Sequence, residues 1–183
     1  MPTIKELVEK SLNVPAFNEE ISILIFGPGK PKGDPTTSKC WMKRNKIKDF
    51  LNEKFPKSKN SGIIEFPEEL VKKIKKQGQS DLDAETHIAY AVDLIIVLDC
   101  STNGVTLEIG KFSSHSWFRD KSYIFLPKKY LKTKSLAKDI HSEYVSSHIV
   151  GFTDEEFELC NLVTKKILRI AQDRAISKII NRK

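Results

Sequence analysis

The 183-residue sequence predicts a three-layer, doubly wound α/β domain with a mostly parallel sheet, of the Rossmann/flavodoxin-like kind. Three observations predict it. Leu94-Ile95-Ile96-Val97-Leu98 is an unbroken apolar run between Asp93 and Asp99, which suits a strand covered on both faces. Strand-like runs alternate with helix-like periodicity along the chain, which implies parallel pairing through right-handed crossovers. The first strand-like run stops at a loop dense in Gly, Pro and Lys, from Gly27 to Pro35. A strand, a glycine loop and a helix in succession form the opening unit of such sheets.

Taken in order, residues 3–12 read as a short amphipathic helix with Ile4, Leu7, Val8 and Leu12 on one side. Ile21 to Phe26 reads as the first strand. Thr36 to Phe55 reads as the first crossover helix, with Trp41, Ile47, Phe50, Leu51 and Phe55 facing inward. Ile63 to Phe66 reads as a second strand. Pro67 then opens a helix, since proline suits a first helical turn, and Gly78 closes it. Asp81 to Ala91 reads as a helix leading into the central strand. Ser122 to Leu126 reads as a fourth strand, and a fifth lies within Tyr144 to Phe152. Thr153-Asp154-Glu155-Glu156 resembles a capping sequence, and a long helix follows with Phe157, Val163, Ile167, Ile170 and Ile176 apolar. No repeat, low-complexity segment or linker divides the chain, so residues 1–183 read as one domain.

Composition narrows the functional classes. Hydrophobic residues make up 39% and charged residues 30%, which fits a globular protein in water. No apolar run reaches membrane-spanning length, and the first residues show no signal-peptide core, so the expected location is cytoplasmic, with no membrane partner. Cys40, Cys100 and Cys160 are an odd number and far apart. That spacing argues for reduced thiols and against a disulfide scaffold or structural zinc site. The formal net charge is +7, carried mainly by lysines. Such a surface suits solvated helix faces first, and a polyanion or phosphorylated ligand second. The sequence leaves room for a homo-oligomer and for a regulatory protein or nucleic-acid partner.

The candidate site follows from the strand ends. In parallel sheets the carboxyl ends open onto the ligand crevice. The ends after Phe26, Phe66 and Leu98 therefore gather Phe26, Gly27, Gly29, Lys30, Glu85, Asp99, Asn103 and Gly104 as candidate substrate-binding residues. Glycine lets backbone approach a ligand and free amides can hold phosphate, although the loop is neither a Walker A motif nor GxGxxG. Glu108 and Asp93 are the candidate catalytic acids. Glu108 follows the turn Cys100-Ser101-Thr102-Asn103-Gly104, near the expected start of a helix whose dipole favours a carboxylate. Asp93 is alternatively a cap for the preceding helix. No two of the four histidines stand at i, i+3 or i+4, so no zinc motif is present.

These residues resemble the nucleoside 2-deoxyribosyltransferase-like superfamily, a Rossmann-like N-glycosidase group related to TIR domains. The matching pieces are Ile23 to Gly29 (ILIFGPG), Ala91 to Leu98 (AVDLIIVL) and Gly104 to Phe112 (GVTLEIGKF). The resemblance implies that Glu108 attacks the anomeric carbon or stabilises the oxocarbenium ion, and that Asp93 contacts the base. The family's transferases carry a further acid six residues before the glutamate, where this chain has Thr102. That difference turns the expectation toward hydrolysis of a nucleoside, nucleotide or NAD. Some similar proteins are effectors of bacterial anti-phage systems. The implied chemistry needs no cofactor and no metal. The same crevice also suits a non-catalytic nucleotide-sensing module.

Overall fold

The computed structural model describes residues 20–33, 38–55, 62–75, 78–100, 110–132, 148–153 and 156–180. Along the chain these form β1 (Ile23–Phe26), α1 (Lys39–Lys54), β2 (Ile64–Glu65), α2 (Pro67–Ile74), α3 (Asp81–Ala91) and β3 (Leu94–Leu98). Then come α4 (Ser116–Lys121), β4 (Ser122–Pro127), a 3-10 turn (Lys128–Lys132), β5 (Ile149–Phe152) and α5 (Glu156–Ile180). The helix expected over 3–12 lies outside the described residues, as do residues 144–147 of the expected fifth strand.

The strands form one sheet in the order β2-β1-β3-β4-β5, and every pairing is parallel. Strand side chains alternate between faces, and here both faces are covered. Ile23, Ile25, Leu94, Ile96, Leu98 and Phe125 pack with Ile47 and Leu51 of α1 and with Leu159, Val163, Ile167 and Ala171 of α5. Leu24, Phe26, Ile95, Val97, Ile124 and Leu126 pack with Val71 of α2, Ala84, Ile88 and Ala89 of α3, and Phe118 of α4. The result is the doubly wound, three-layer arrangement expected from the sequence. Burial on both sides explains why β3 reads as a continuous apolar run, for all five of its residues are buried.

Local signals set the helix starts. Ser38 caps α1, its Oγ accepting from the Trp41 amide at 3.2 Å. Ser80 caps α3, with Oγ accepting from the Asp83 amide at 3.1 Å. Pro67 opens α2, and Glu68 and Glu69 follow it in the first turn, where the positive dipole end favours acids.

At the entry to α5, Glu158 is bonded by the Thr153 hydroxyl, accepts from the Thr153 amide at 2.8 Å, and meets Lys128 at 3.0 Å. The two Thr153 bonds, helped by Lys128, hold its carboxyl down to about 2. A depressed acid stabilises the fold fully above its ordinary value of 4.5, and that contribution is lost as pH falls through the lower one. Carboxyl NMR titration of Glu158 is therefore expected to give a midpoint near 2. Thr153→Val removes the hydroxyl bond and keeps the amide bond and Lys128, so it should raise the midpoint part of the way to the ordinary value; an unchanged midpoint would reject the Thr153 hydroxyl as the main cause.

The thiol expectation is corrected. Cys40, in the first turn of α1, and Cys100, just past β3, form a disulfide with Cα atoms 6.3 Å apart. Cys160 is buried and is not part of that disulfide. The reason is tertiary: the crossover from β1 brings the start of α1 against the carboxyl end of β3. A spacing of 60 residues carries no trace of that contact.

Candidate functional site

The order β2-β1-β3 means that the chain leaves β1 toward one side and returns to β3 on the other. Crevices form at such switch points, beyond the carboxyl ends of the strands. A cleft of about 520 Å³ lies there, a size suited to a small-molecule ligand. Its walls come from the β1 loop (Gly27, Gly29, Lys30), α1 (Trp41, Arg44, Asn45, Lys48), the end of β2 (Glu65, Phe66), α2 (Pro67, Glu68, Glu69, Lys72) and Glu85 of α3.

Arg44 forms the floor and is 1% exposed. Its Nε and Nη2 donate to the Ile25 carbonyl at 3.1 and 2.7 Å. Nη1 donates to the Pro28 carbonyl at 3.2 Å. The fork closes on Glu68, Nη1 to Oε1 at 2.6 Å and Nη2 to Oε2 at 2.8 Å. All five guanidinium donors are thus engaged. The group also lies 4.3 Å from the Phe66 ring centre, a cation–π distance. One side chain therefore ties α1 to β1, its loop and α2. Gly27 makes room for it, since a Cβ there would stand 3.1 Å from Arg44 Cδ and 3.3 Å from Leu98 Cβ.

The remaining walls mix charge with aromatic surface. Lys48 pairs with Glu65 and lies 4.6 Å from the Phe66 ring centre. Glu65 also accepts from the Phe66 amide at 3.0 Å. Lys72 pairs with Glu69 at 3.0 Å. Trp41 and Phe66 meet with ring centres 5.6 Å apart. Glu85 faces the cleft half-buried. Burial pushes its carboxyl above the ordinary value, and Glu68 and Asp81 add to the rise, against Lys111 and Arg44. Among the described residues no three His, Cys, Asp or Glu converge as a metal-binding set.

Of the residues proposed from sequence, Gly27, Gly29, Lys30 and Glu85 come together on the cleft. Phe26 does not line it: period-two alternation turns its ring into the core, 5.9 Å from Phe112 and 6.1 Å from Phe118. Asp99 is 1% exposed just past β3 and is also not part of the lining. Asp93 stands at the opposite, amino edge of the sheet, one residue before β3. There Oδ2 accepts from the Ser22 amide at 2.8 Å and Oδ1 pairs with Arg174 at 2.6 Å. It neither caps α3 nor reaches the cleft; it pins β1, β3 and α5 together. Asn103, Gly104 and Glu108 lie outside the described residues.

Sequence reasoning missed Trp41, Arg44, Lys48, Glu65 and Glu68. Glu65 had a usable signal, since an acid at the end of a second strand is where dinucleotide folds hold a ribose. Arg44 had none, because a basic residue on a helix reads as solvated until its partners are known.

Fold and cleft together define a doubly wound α/β domain with a polar, aromatic-walled cleft at the carboxyl ends of its strands. Residues 42–179 match the family described as STM3845 retron effector protein, and the chain belongs to that family. The matched span includes Glu85 and Glu108 and begins after the β1 loop. No curated protein matches the chain. No described helix is long and apolar enough to cross a membrane.

Proposed function

We propose that the protein is an effector of an anti-phage defence system that cleaves the N-glycosidic bond of a nucleoside, nucleotide or NAD in this cleft. Membership of a retron effector family supports the defence role, and its partners are then other components of that system. The observation that carries the chemistry is the cleft beyond β1 and β2, where carboxylates, lysines and aromatic rings converge. Carboxylates suit sugar hydroxyls and a cationic sugar, lysines suit phosphate, and rings suit a base. N-glycosidic cleavage passes through an oxocarbenium-like state, as glycoside hydrolysis does. Glu108 is the proposed nucleophile or stabiliser of that state. The Gly27 to Asp34 loop, with Lys30 and Lys32, is the proposed phosphate or ribose site.

Chromatography of base release from a panel of nucleosides, nucleotides and NAD tests the proposal. A protein that binds one of them tightly without releasing base is instead a nucleotide sensor. Gly29→Val tests the loop. A Cβ at Gly29 meets nothing within 4 Å, so the fold should be retained while the added bulk enters the cleft. Calorimetry with the active nucleotide is expected to show about tenfold weaker binding, ~1.4 kcal/mol. Unchanged affinity would leave the loop as a turn only.

A further inference from the structure

The Cys40–Cys100 bond joins a fixed point of the sheet to a wall of the cleft. Cys100 stands just past β3, which is paired on both sides. The Asp99 amide still donates to the Phe125 carbonyl at 2.9 Å, so backbone pairing holds the chain up to the residue before the bond. Cys40 lies in the first turn of α1, beside Trp41. Trp41 and Phe66 both line the cleft, with ring centres 5.6 Å apart. Further along, Arg44, Ile47 and Leu51 hold α1 to the sheet without the bond. Opening it therefore releases the first turn and Trp41 and leaves the core packed.

Two features suit the bond to thiol exchange. Both cysteines are half-buried rather than enclosed, and exchange needs access. Cys40 sits at the positive end of a helix that carries no acid in its first turn, where a departing thiolate is favoured. A disulfide whose reduced form is stabilised in this way is easier to reduce.

We propose that this bond is a reversible redox switch on the cleft: closed, it holds the Trp41 wall for the ligand, and a glutathione-class thiol opens it and lowers turnover. The effect on turnover rests on the N-glycosidase reading above, whereas the release of Trp41 does not. A reductant thiolate attacks Cys100 Sγ, and Cys40 Sγ leaves with the bonding pair and takes up a proton. A second reductant thiolate attacks the first reductant sulfur in the mixed disulfide, and Cys100 Sγ leaves and takes up a proton in turn. Two electrons and two protons pass to the protein, and the reductant departs as its own disulfide. Oxidised glutathione reverses the sequence.

The test equilibrates the protein with glutathione over a range of reduced-to-oxidised ratios. Mass spectrometry after thiol alkylation should show Cys40 and Cys100 passing together from bonded to labelled in millimolar glutathione, where a structural disulfide stays closed. In a Trp117→Phe background Trp41 is the remaining tryptophan, and its quenching by acrylamide should rise on reduction. Base release from the substrate panel should slow about tenfold to a hundredfold on reduction, the scale of a misplaced binding wall, and recover on reoxidation. The melting temperature should fall by about 10 °C on reduction, with the protein still folded at room temperature. Cys40→Ser should match the reduced form and ignore glutathione. A bond that stays closed in glutathione, unfolding of the reduced protein or of Cys40→Ser, unchanged Trp41 quenching, or equal base release from both forms overturns the proposal. A protein inert on the whole panel in either form overturns the N-glycosidase reading instead, and labelling and Trp41 quenching then decide the switch.

Discussion

Arg44→Ala is expected to destabilise the protein by about 3–5 kcal/mol, the range for breaking a buried charge pair from one side. The substitution leaves the Ile25 and Pro28 carbonyls and the Glu68 carboxylate without their donors. It also removes the surface that packs on Phe66. Urea denaturation should show the loss as a lowered midpoint, and the melting temperature should fall by ~10 °C or more. Arg44→Lys keeps the charge but has three donors and no planar fork, so it should recover less than half of the stability. Glu68 is 37% exposed at its side chain against 2% for Arg44. Glu68→Gln should therefore cost less than Arg44→Ala, because solvent helps it and the Arg44 bonds to the carbonyls persist. A loss under about 1 kcal/mol for Arg44→Ala would mean that water replaces the guanidinium easily.

The largest effect on activity is expected at Glu108. Glu108→Gln keeps size and hydrogen-bonding capacity and removes charge, so it separates electrostatics from packing. Loss of an essential nucleophilic or charge-stabilising group costs about 3 kcal/mol or more in the transition state, roughly a hundredfold in rate. The variant should fold, bind nucleotide and lose nearly all base release. The proposal stands on the family resemblance of Gly104 to Phe112 and on the place of Glu108 in the chain, between the end of β3 and the helical segment 110–113. Wild-type turnover in a folded Glu108→Gln protein would end the assignment.

Much of the sheet was legible because its signals are local. The apolar run of β3 and the helix Asp81–Ala91 agree with the sequence to the residue. The start of α2 at Pro67 agrees too, since proline and two acids leave few alternatives. The short helix Ser116–Lys121 gave no comparable pattern and was missed. The cleft was legible at its backbone turn, Gly27, Gly29 and Lys30, and at Glu85 on the helix before the central strand. Its floor depends on which faces of α1 and α2 meet, and nothing in the spacing of Arg44 and Glu68 reports their pairing. Asp93 illustrates the same limit. An acid before a buried strand signals a special contact, but only tertiary structure shows that the contact is Ser22 and Arg174 at the far edge. The Cys40–Cys100 bond is a third such case.

The central seam of the sheet has a consequence for assembly. β1 pairs with β3 from Ile23–Leu94 to Phe26–Val97, joining segments that are 71 residues apart. Its other partner, β2, is two residues long and offers little of a template. Loop-closure entropy must therefore be met before β1 gains most of its ladder bonds, which places folding among the slower, non-local topologies. As the chain elongates from its amino end, the floor residue Arg44 and the loop at Gly27 are made early but have no β3 to close against. The seam and the Cys40–Cys100 bond both await residues 94–100, so the cleft cannot close before just over half of the 183-residue chain has been made.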